Sequence, residues 1–319
     1  MRNNFILKDS PYYQMYFVDI QANPFVKWAG GKRQIIDEIH NFLPEIIQKK
    51  NIKYVEPFVG GGAVYFSLFK SPNIQEAILI DNNPILIIAY KTIKNNVDKL
   101  INNLYFLEQT YKEIAEVEKQ SKYYYEIRDQ YNDLIKKLDF PIDNSYWVKL
   151  VAKFIFLNRT CFNGLYRVNS KGEFNVPKGS YKNPNICNSN NLYQVSNALK
   201  NTKILYDDFQ RAEEFIDGSS FVYLDPPYRP LKSSGFTSYT KIDFDDNEQK
   251  RLAKFCFRID KLGGKFLLSN SDPKNSNPDD NFFDDLYSDF RIIRINARRN
   301  INRNGNERGS VSELLIMNY

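Results

Sequence analysis

The most concentrated chemistry in the chain lies in Asp225-Pro226-Pro227-Tyr228. These residues follow Ser219 to Leu224, a largely apolar run bounded by Gly218 and the two prolines, which reads as a short buried strand that stops abruptly. Neither proline has an N–H to give to a ladder, and the first also pushes Asp225 out of the helical region. A carboxylate, the Pro226 carbonyl and an aromatic ring are thereby held at the carboxyl end of a strand, the edge where ligands sit in open α/β sheets. A second cluster lies upstream. Ile52 to Glu56 reads as a strand, Pro57 to Gly62 as a glycine loop and Ala63 to Phe69 as a helix, and the buried run Ala77 to Ile80 ends at Asp81. A glycine loop followed by an acid about twenty residues later is the pattern of nucleotide-ribose recognition. A dinucleotide oxidoreductase would show Gly-x-Gly-x-x-Gly, and Tyr65 occupies the third position here. Trp28, Gly30, Gly31 and Lys32 form a third cluster, whose glycines permit close backbone approach to a ligand. It is not a phosphate-binding Walker A loop, because Val26 and Arg33 stand where Gly and Ser or Thr are needed.

The elements around these clusters alternate strand and helix, which predicts an α/β fold with a mostly parallel sheet. Ile35, Ile36, Ile39, Phe42 and Leu43 recur at helical spacing up to Pro44. Asn82-Asn83-Pro84 start a helix expected to run to about Tyr105, and residues 106–150 read as charged and helical, followed by an apolar segment at 151–157. Residues 158–185 are polar, basic and aromatic. A Ser170-Lys171-Gly172 turn between Tyr166–Val168 and Glu173–Val176 predicts a hairpin. Residues 190–200 read as helix, Lys203 to Tyr206 as a strand ending in Asp207-Asp208, Asp246 to Ile259 as helix and Lys265 to Ser269 as strand. Arg291 to Asn296 and Glu313 to Asn318 form a closing antiparallel pair. Residues 229–247 are long enough for a lid. The basic Gly/Asn segment 298–310 is a hairpin tip suited either to solvent or to phosphates.

Asn23 to Lys32, Phe58 to Gly62 and Asp225 to Tyr228, in the family's order along the chain, together resemble the Dam-like DNA N6-adenine methyltransferases, the GATC-specific group above all; the resemblance covers roughly residues 23–319. It implies a seven-stranded fold binding S-adenosylmethionine (SAM), with a helical and hairpin-bearing recognition domain inserted. The expected layout is an N-terminal extension at 1–22, a discontinuous catalytic domain at 23–95 and 195–319, and the recognition domain at 96–194. It also implies roles. Trp28, Lys32, Phe58, Gly60, Gly62, Asp81, Asp208 and Asp225 would face SAM, with Asp207 an ambiguity in placing Asp208. Lys27, Leu165, Arg167, Pro177 and Tyr181 would contact DNA, and Asp225, Pro226, Pro227 and Tyr228 would form the catalytic turn. The chemistry suits these groups. An exocyclic adenine amine is a poor nucleophile, and acceptors at Asp225 and the Pro226 carbonyl would draw its lone pair back onto nitrogen. Tyr228 would stack on a base taken out of the duplex. Ser180 departs from the basic residue of close relatives, which on this resemblance would remove one phosphate contact.

Composition sets limits. With 44 basic and 38 acidic side chains the net charge is +6, a balance that permits a nucleic-acid partner without demanding one. Cys161, Cys187 and Cys256 lie far apart, and His40 is the sole histidine, so no metal site is expected and free thiols in a reducing cytosol are. No apolar run approaches the ~18 residues of a membrane span. Double-stranded DNA is the expected partner, with a cognate restriction endonuclease as a second, and a monomer or weak dimer is the expected state. A same-fold RNA methyltransferase and a catalytically silent DNA-binding protein are the alternatives; the intact Asp225 to Tyr228 turn speaks against the latter.

Overall fold

The computed structural model describes residues 22–49, 51–69, 71, 73–137, 144–229, 244–298 and 310–319. The N-terminal extension, most of the expected lid and the basic hairpin tip fall outside the described residues.

The element order explains where the clusters meet. Helix α1 (Ile36–Asn41) precedes β1 (Ile52–Glu56), α2 (Ala63–Leu68), β2 (Ile74–Asp81) and α3 (Pro84–Glu113). Two further helices, α4 (Val117–Lys136) and α5 (Asn144–Thr160), lead to the hairpin region, after which come α6 (Ser189–Ala198), β3 (Thr202–Tyr206) and β4 (Ser220–Leu224). The chain closes with α7 (Asp246–Lys261), β5 (Lys265–Ser271), α8 (Phe282–Leu286), β6 (Arg291–Arg298) and β7 (Ser310–Met317). The seven strands form one sheet in the order β3-β2-β1-β4-β5-β7-β6. The first five strands in that order pair in parallel, and β7 runs antiparallel to both β5 and β6. A parallel strand buried on both faces reads as a near-continuous apolar run, and β4, SFVYL, apolar but for Ser220, is buried at all five positions.

Alternate residues feed two cores. Tyr54, Leu79, Phe221, Tyr223 and Leu267 face one core with α2, α3, α5 and α6. Val55, Ile80, Val222, Leu224 and Leu268 face the other with α7 and α8. The strand order reverses direction between β1 and β4, so the carboxyl ends of β1, β2, β4 and β5 open onto one crevice. Asp81 closes β2, and Asp225 follows β4 immediately.

Helix α3 is longer than expected, ending at Glu113 rather than near Tyr105, with an irregular residue at Asn96 (φ −140°, ψ 35°). Its start is as read: Asn83 caps it by accepting the Ile85 N–H, and Pro84 fills the first turn. Its end was hard to place because the later turns bury a narrow apolar stripe, Leu100, Leu104, Leu107 and Tyr111, with Glu108 beside it. The apolar segment 151–157 lies inside α5. The hairpin is looser than expected. Its turn is present, with Gly172 at φ +79°, but only the isolated bridges Val168–Phe174 and Cys161–Lys178 form instead of regular strands. Among the described residues no helix is long and apolar enough to cross a membrane.

Candidate active site

Asp225 sits where β4 gives way to the two prolines, and its side chain is only 19% exposed. The Lys32 ammonium lies 2.7 Å from its Oδ1, and the Ser269 hydroxyl, from β5, donates to the same oxygen at 3.2 Å. Oδ2 receives no hydrogen bond among the described residues. Burial raises the carboxyl group's proton affinity above its usual range, Lys32 and the Ser269 hydroxyl oppose that shift, and Glu313 reinforces it. Lys32 is itself buried and also donates to the Gly30 carbonyl at 3.0 Å. Its ammonium lies 4.5 Å from the centre of the Tyr228 ring, a cation–π contact. The Tyr228 hydroxyl donates to Glu313 on β7 at 2.9 Å. The structure thus unites Lys32, Asp225 and Tyr228, and gives Lys32 a direct partner in Asp225.

The remaining bonds of the turn come from α7, β5 and the loop before α8. Gln249 donates to the Pro227 carbonyl at 3.2 Å, and Arg229 forks onto Asp246 while also reaching Asp280 at 2.7 Å. Among the described residues no hydrogen bond reaches the Pro226 carbonyl.

The glycine loop meets Asp81 directly. The Gly60 N–H donates to the Asp81 carboxylate at 2.9 Å and the Asn83 N–H donates at 2.8 Å. Burial nevertheless pushes this carboxyl group up to about 6. Tyr90 donates to the Gly60 carbonyl at 3.0 Å. The loop needs two of its glycines. Gly60 has φ +47° and a Cβ there would lie 3.1 Å from the Trp28 ring, while Gly62 has φ +71° and a Cβ there would lie 2.5 Å from the Tyr90 hydroxyl. Glu56, at the end of β1, is buried and bonded by the Tyr54 hydroxyl at 2.9 Å. Burial drives its proton affinity well up, and the nearby Asp225 and Asp81 add to the effect.

Phe58 stacks on Phe209 (centroids 5.2 Å apart) and meets Phe244 edge-on. Arg251 covers the other ring, 4.2 Å from the Phe209 centroid, and forks onto Asp208 at 2.8 Å through both terminal nitrogens. Asp208 also caps the turn after β3 through the Gln210 N–H. Its carboxylate is therefore engaged by Arg251, while Asp207 reaches Arg211. A carboxylate has about four acceptor positions, so Asp81 keeps capacity for two hydroxyls, and the Phe58–Phe209 pair offers flat apolar surface. These residues fit an adenosyl group.

The expected DNA-contacting residues gather on one side of the hairpin. Tyr166, Phe174 and Val176 point into the core, while Leu165, Arg167 and Pro177 are exposed. Arg167 is exposed and donates through Nε to Asn175 at 2.8 Å, and among the described residues its terminal nitrogens have no hydrogen-bond partner. Lys27 donates to the Tyr181 hydroxyl at 3.1 Å and lies 4.7 Å from that ring's centre. Trp28, next to Lys27, stacks on Tyr166 (centroids 5.1 Å, planes 26° apart), so its indole bridges the glycine loop and the hairpin.

Sequence reasoning missed Ser269, Glu313, Gln249, Asn270 and Asn158. The available signal was polarity out of place: Glu313 stands before the apolar run LLIM in β7, and Ser269 and Asn270 interrupt an apolar β5. Each of these residues has a partner twenty or more positions away, where spacing carries no information.

The chain matches the family model of the D12 class N6 adenine-specific DNA methyltransferases over residues 28–301. It is 50% identical to the type II methyltransferase M.MjaIII of Methanocaldococcus jannaschii over 94% of this chain and 100% of that one. It is 38% identical to the type II methyltransferase M1.LlaDCHI of Lactococcus lactis subsp. cremoris, over 94% of this chain and 96% of that one. To the DNA adenine methylase of Haemophilus influenzae it is 36% identical, over 93% and 94%. With the sheet order, the glycine loop and the Asp225 turn in place, the chain belongs to the D12 class of N6 adenine-specific DNA methyltransferases.

Proposed function

We propose that this enzyme transfers a methyl group from SAM to N6 of adenine in duplex DNA, at GATC, after extruding the base from the helix. The observation that carries this reading is the asymmetry at Asp225: Lys32 and Ser269 both bind Oδ1, and among the described residues Oδ2 is left as an acceptor at the carboxyl edge of β4. Bound SAM supplies an electrophilic methyl group. Asp81 and the Gly60 loop would hold its ribose, and Phe58 with Phe209 its adenine. Asp225 Oδ2 and the Pro226 carbonyl accept the two N–H bonds of the target amine and so localise its lone pair on nitrogen. Lys32 offsets part of the cost of an ionised carboxylate in a buried site. The raised proton affinity of Asp225 makes Oδ2 a better acceptor for the proton that the amine must lose. Tyr228 supplies the stacking face, with its ring held by Glu313 and Lys32.

Target choice is assigned to the outward side of the hairpin. Arg167 is suited to pair with guanine O6 and N7, Leu165 and Pro177 to pack on thymine methyls, and Lys27 with Tyr181 to meet the outer guanine. In this reading, residues 96–194 form the recognition domain, and 23–95 with 195–319 the catalytic domain. The enzyme works on cytoplasmic DNA, and the type II names of two relatives support a cognate restriction endonuclease for it.

The test is single-molecule sequencing of unmethylated duplex DNA after exposure to the enzyme and SAM, with transfer RNA as the competing substrate. N6-methyladenine confined to GATC is expected, and Asp225→Ala should abolish it while SAM still binds. Modification confined to another motif would remove the GATC assignment, and methylation of RNA alone would remove the DNA reading.

A further inference from the structure

The catalytic turn has few soft torsions. Both prolines lock φ near −65°, and the Asp225 side chain is tied to Lys32 and Ser269. What remains is chiefly ψ at Pro226 and at Pro227, which orient the two carbonyls of the turn. The Pro227 carbonyl is held by Gln249 Nε2, 3.2 Å away, from the first turns of α7. Gln249 Oε1 in turn accepts from Asn270 Nδ2 at 3.1 Å, and Asn270 Oδ1 accepts the Ser271 N–H at 2.9 Å. Gln249 and Asn270 are both 0% exposed. The relay has one consistent sense. Rotating the Gln249 amide would set its oxygen against the Pro227 carbonyl and its NH2 against the Asn270 NH2. Two amides in an apolar setting between a helix and a central strand cost stability unless their bonds are made. Here the bonds converge on one carbonyl next to Pro226.

We propose that Gln249 and Asn270 are positioning residues for methyl transfer: their buried amide relay fixes the Pro227 carbonyl and so aims the Pro226 carbonyl, one of the two acceptors for the target amine. The inference rests on the reading of Asp225 and Pro226 as those acceptors. Neither amide touches substrate or cofactor; both act through the peptide planes of the turn. The same end of α7 holds Arg229 through Asp246, so both groups that leave the turn are anchored on one helix.

Gln249→Met keeps length and volume and removes the donor. A misplacement of about 1 Å at a reacting centre costs on the order of 10²-fold in rate, so the single-turnover rate on a GATC duplex should fall by about that factor. SAM affinity by calorimetry and duplex affinity by anisotropy should stay within about twofold, because no contact to either ligand is lost. Gln249→Glu gives a readout that loss of packing would not. Its ionised form has no donor, whereas its protonated form carries an O–H able to reach the Pro227 carbonyl. Its rate relative to wild type should therefore recover as pH falls. A Gln249→Met enzyme that binds both ligands and turns over at the wild-type rate would overturn the positioning role while leaving the function reading intact. If Gln249→Met does not fold, a Gln249→Glu rate ratio that stays level with pH overturns it instead. A wild-type enzyme inactive on every duplex adenine would instead remove the function reading beneath it.

Discussion

Asp81 ties the candidate site to pH. Its carboxylate gains from the Gly60 and Asn83 N–H groups, yet burial outweighs them and pushes the group up to about 6. Between its ordinary value, near 4, and about 6, the folded chain holds a proton that the unfolded chain has lost. Stability from this group is thus fully present below about 4 and is lost as pH rises through about 6. SAM binding should run the other way, because ribose hydroxyls need the carboxylate as acceptor and protonation removes it. Calorimetry should show SAM affinity weakening as pH falls below about 6, with Asp81→Asn weaker at neutral pH and flat in this range. Glu56 and Asp225 are raised as well, so the thermal-melting difference between wild type and Asp81→Asn isolates the Asp81 share. A wild-type SAM affinity that is level through pH 6 would take Asp81 out of the ribose site. The acid itself was legible from one strand and one glycine loop. The Asp225–Lys32 contact, which couples residues nearly two hundred positions apart, was not.

At the scale of elements, the hairpin shows what a local pattern does and does not carry. Its turn was readable, because Gly172 must take positive φ and Asn169 folds back on it, accepting from the Lys171 and Glu173 N–H groups. Its looseness was not readable, because the missing ladder is replaced from a distant helix. Asn132 of α4 accepts the Phe174 N–H at 2.8 Å and donates to the Phe174 carbonyl at 3.2 Å, making the pair of bonds that a neighbouring strand would make. Lys136, one turn further along, reaches Glu173 at 2.6 Å. The hairpin is therefore splinted to a helix with Arg167 and Leu165 outward. Asn132→Ala removes both backbone bonds and should cost about 1–3 kcal/mol of stability. On the proposed reading its sharper effect should be on target choice: sequencing should find methylation spreading to near-cognate sites, with the rate at the proposed GATC target changed much less. Unchanged discrimination in a variant with the lowered melting point would mean that α4 supports the fold without aiming the hairpin.

In the whole molecule a short path joins the hairpin to the Lys32–Asp225 pair. Asn158, 0% exposed at the end of α5, accepts the Lys27 N–H at 2.7 Å and donates to the Lys27 carbonyl at 2.9 Å and the Gly164 carbonyl at 3.1 Å. One amide therefore holds both the segment leading to Lys32 and the start of the hairpin, and the Trp28–Tyr166 stack runs beside it. Gly164 is required at this junction, since a Cβ there would meet Lys27 at 2.2 Å in a backbone at φ +66°. The sheet, its order and the crevice follow from alternating strands and two recognisable loops, so that much was legible. A joint of this kind arises only when the chain closes on itself, and nothing about an Asn in an apolar helix announces it. The joint predicts correlated failure. Arg167→Ala should lose discrimination while retaining rate, and Lys32→Met should lose rate while retaining discrimination. Asn158→Ala should lose both together, along with about 1–3 kcal/mol of stability for each carbonyl or N–H left unpaired. Values of kcat/KM on GATC and on single-substitution duplexes, measured for all three variants below their melting points, separate the outcomes. An Asn158→Ala enzyme impaired in only one of the two properties would show that the hairpin and the Lys32–Asp225 pair are set independently.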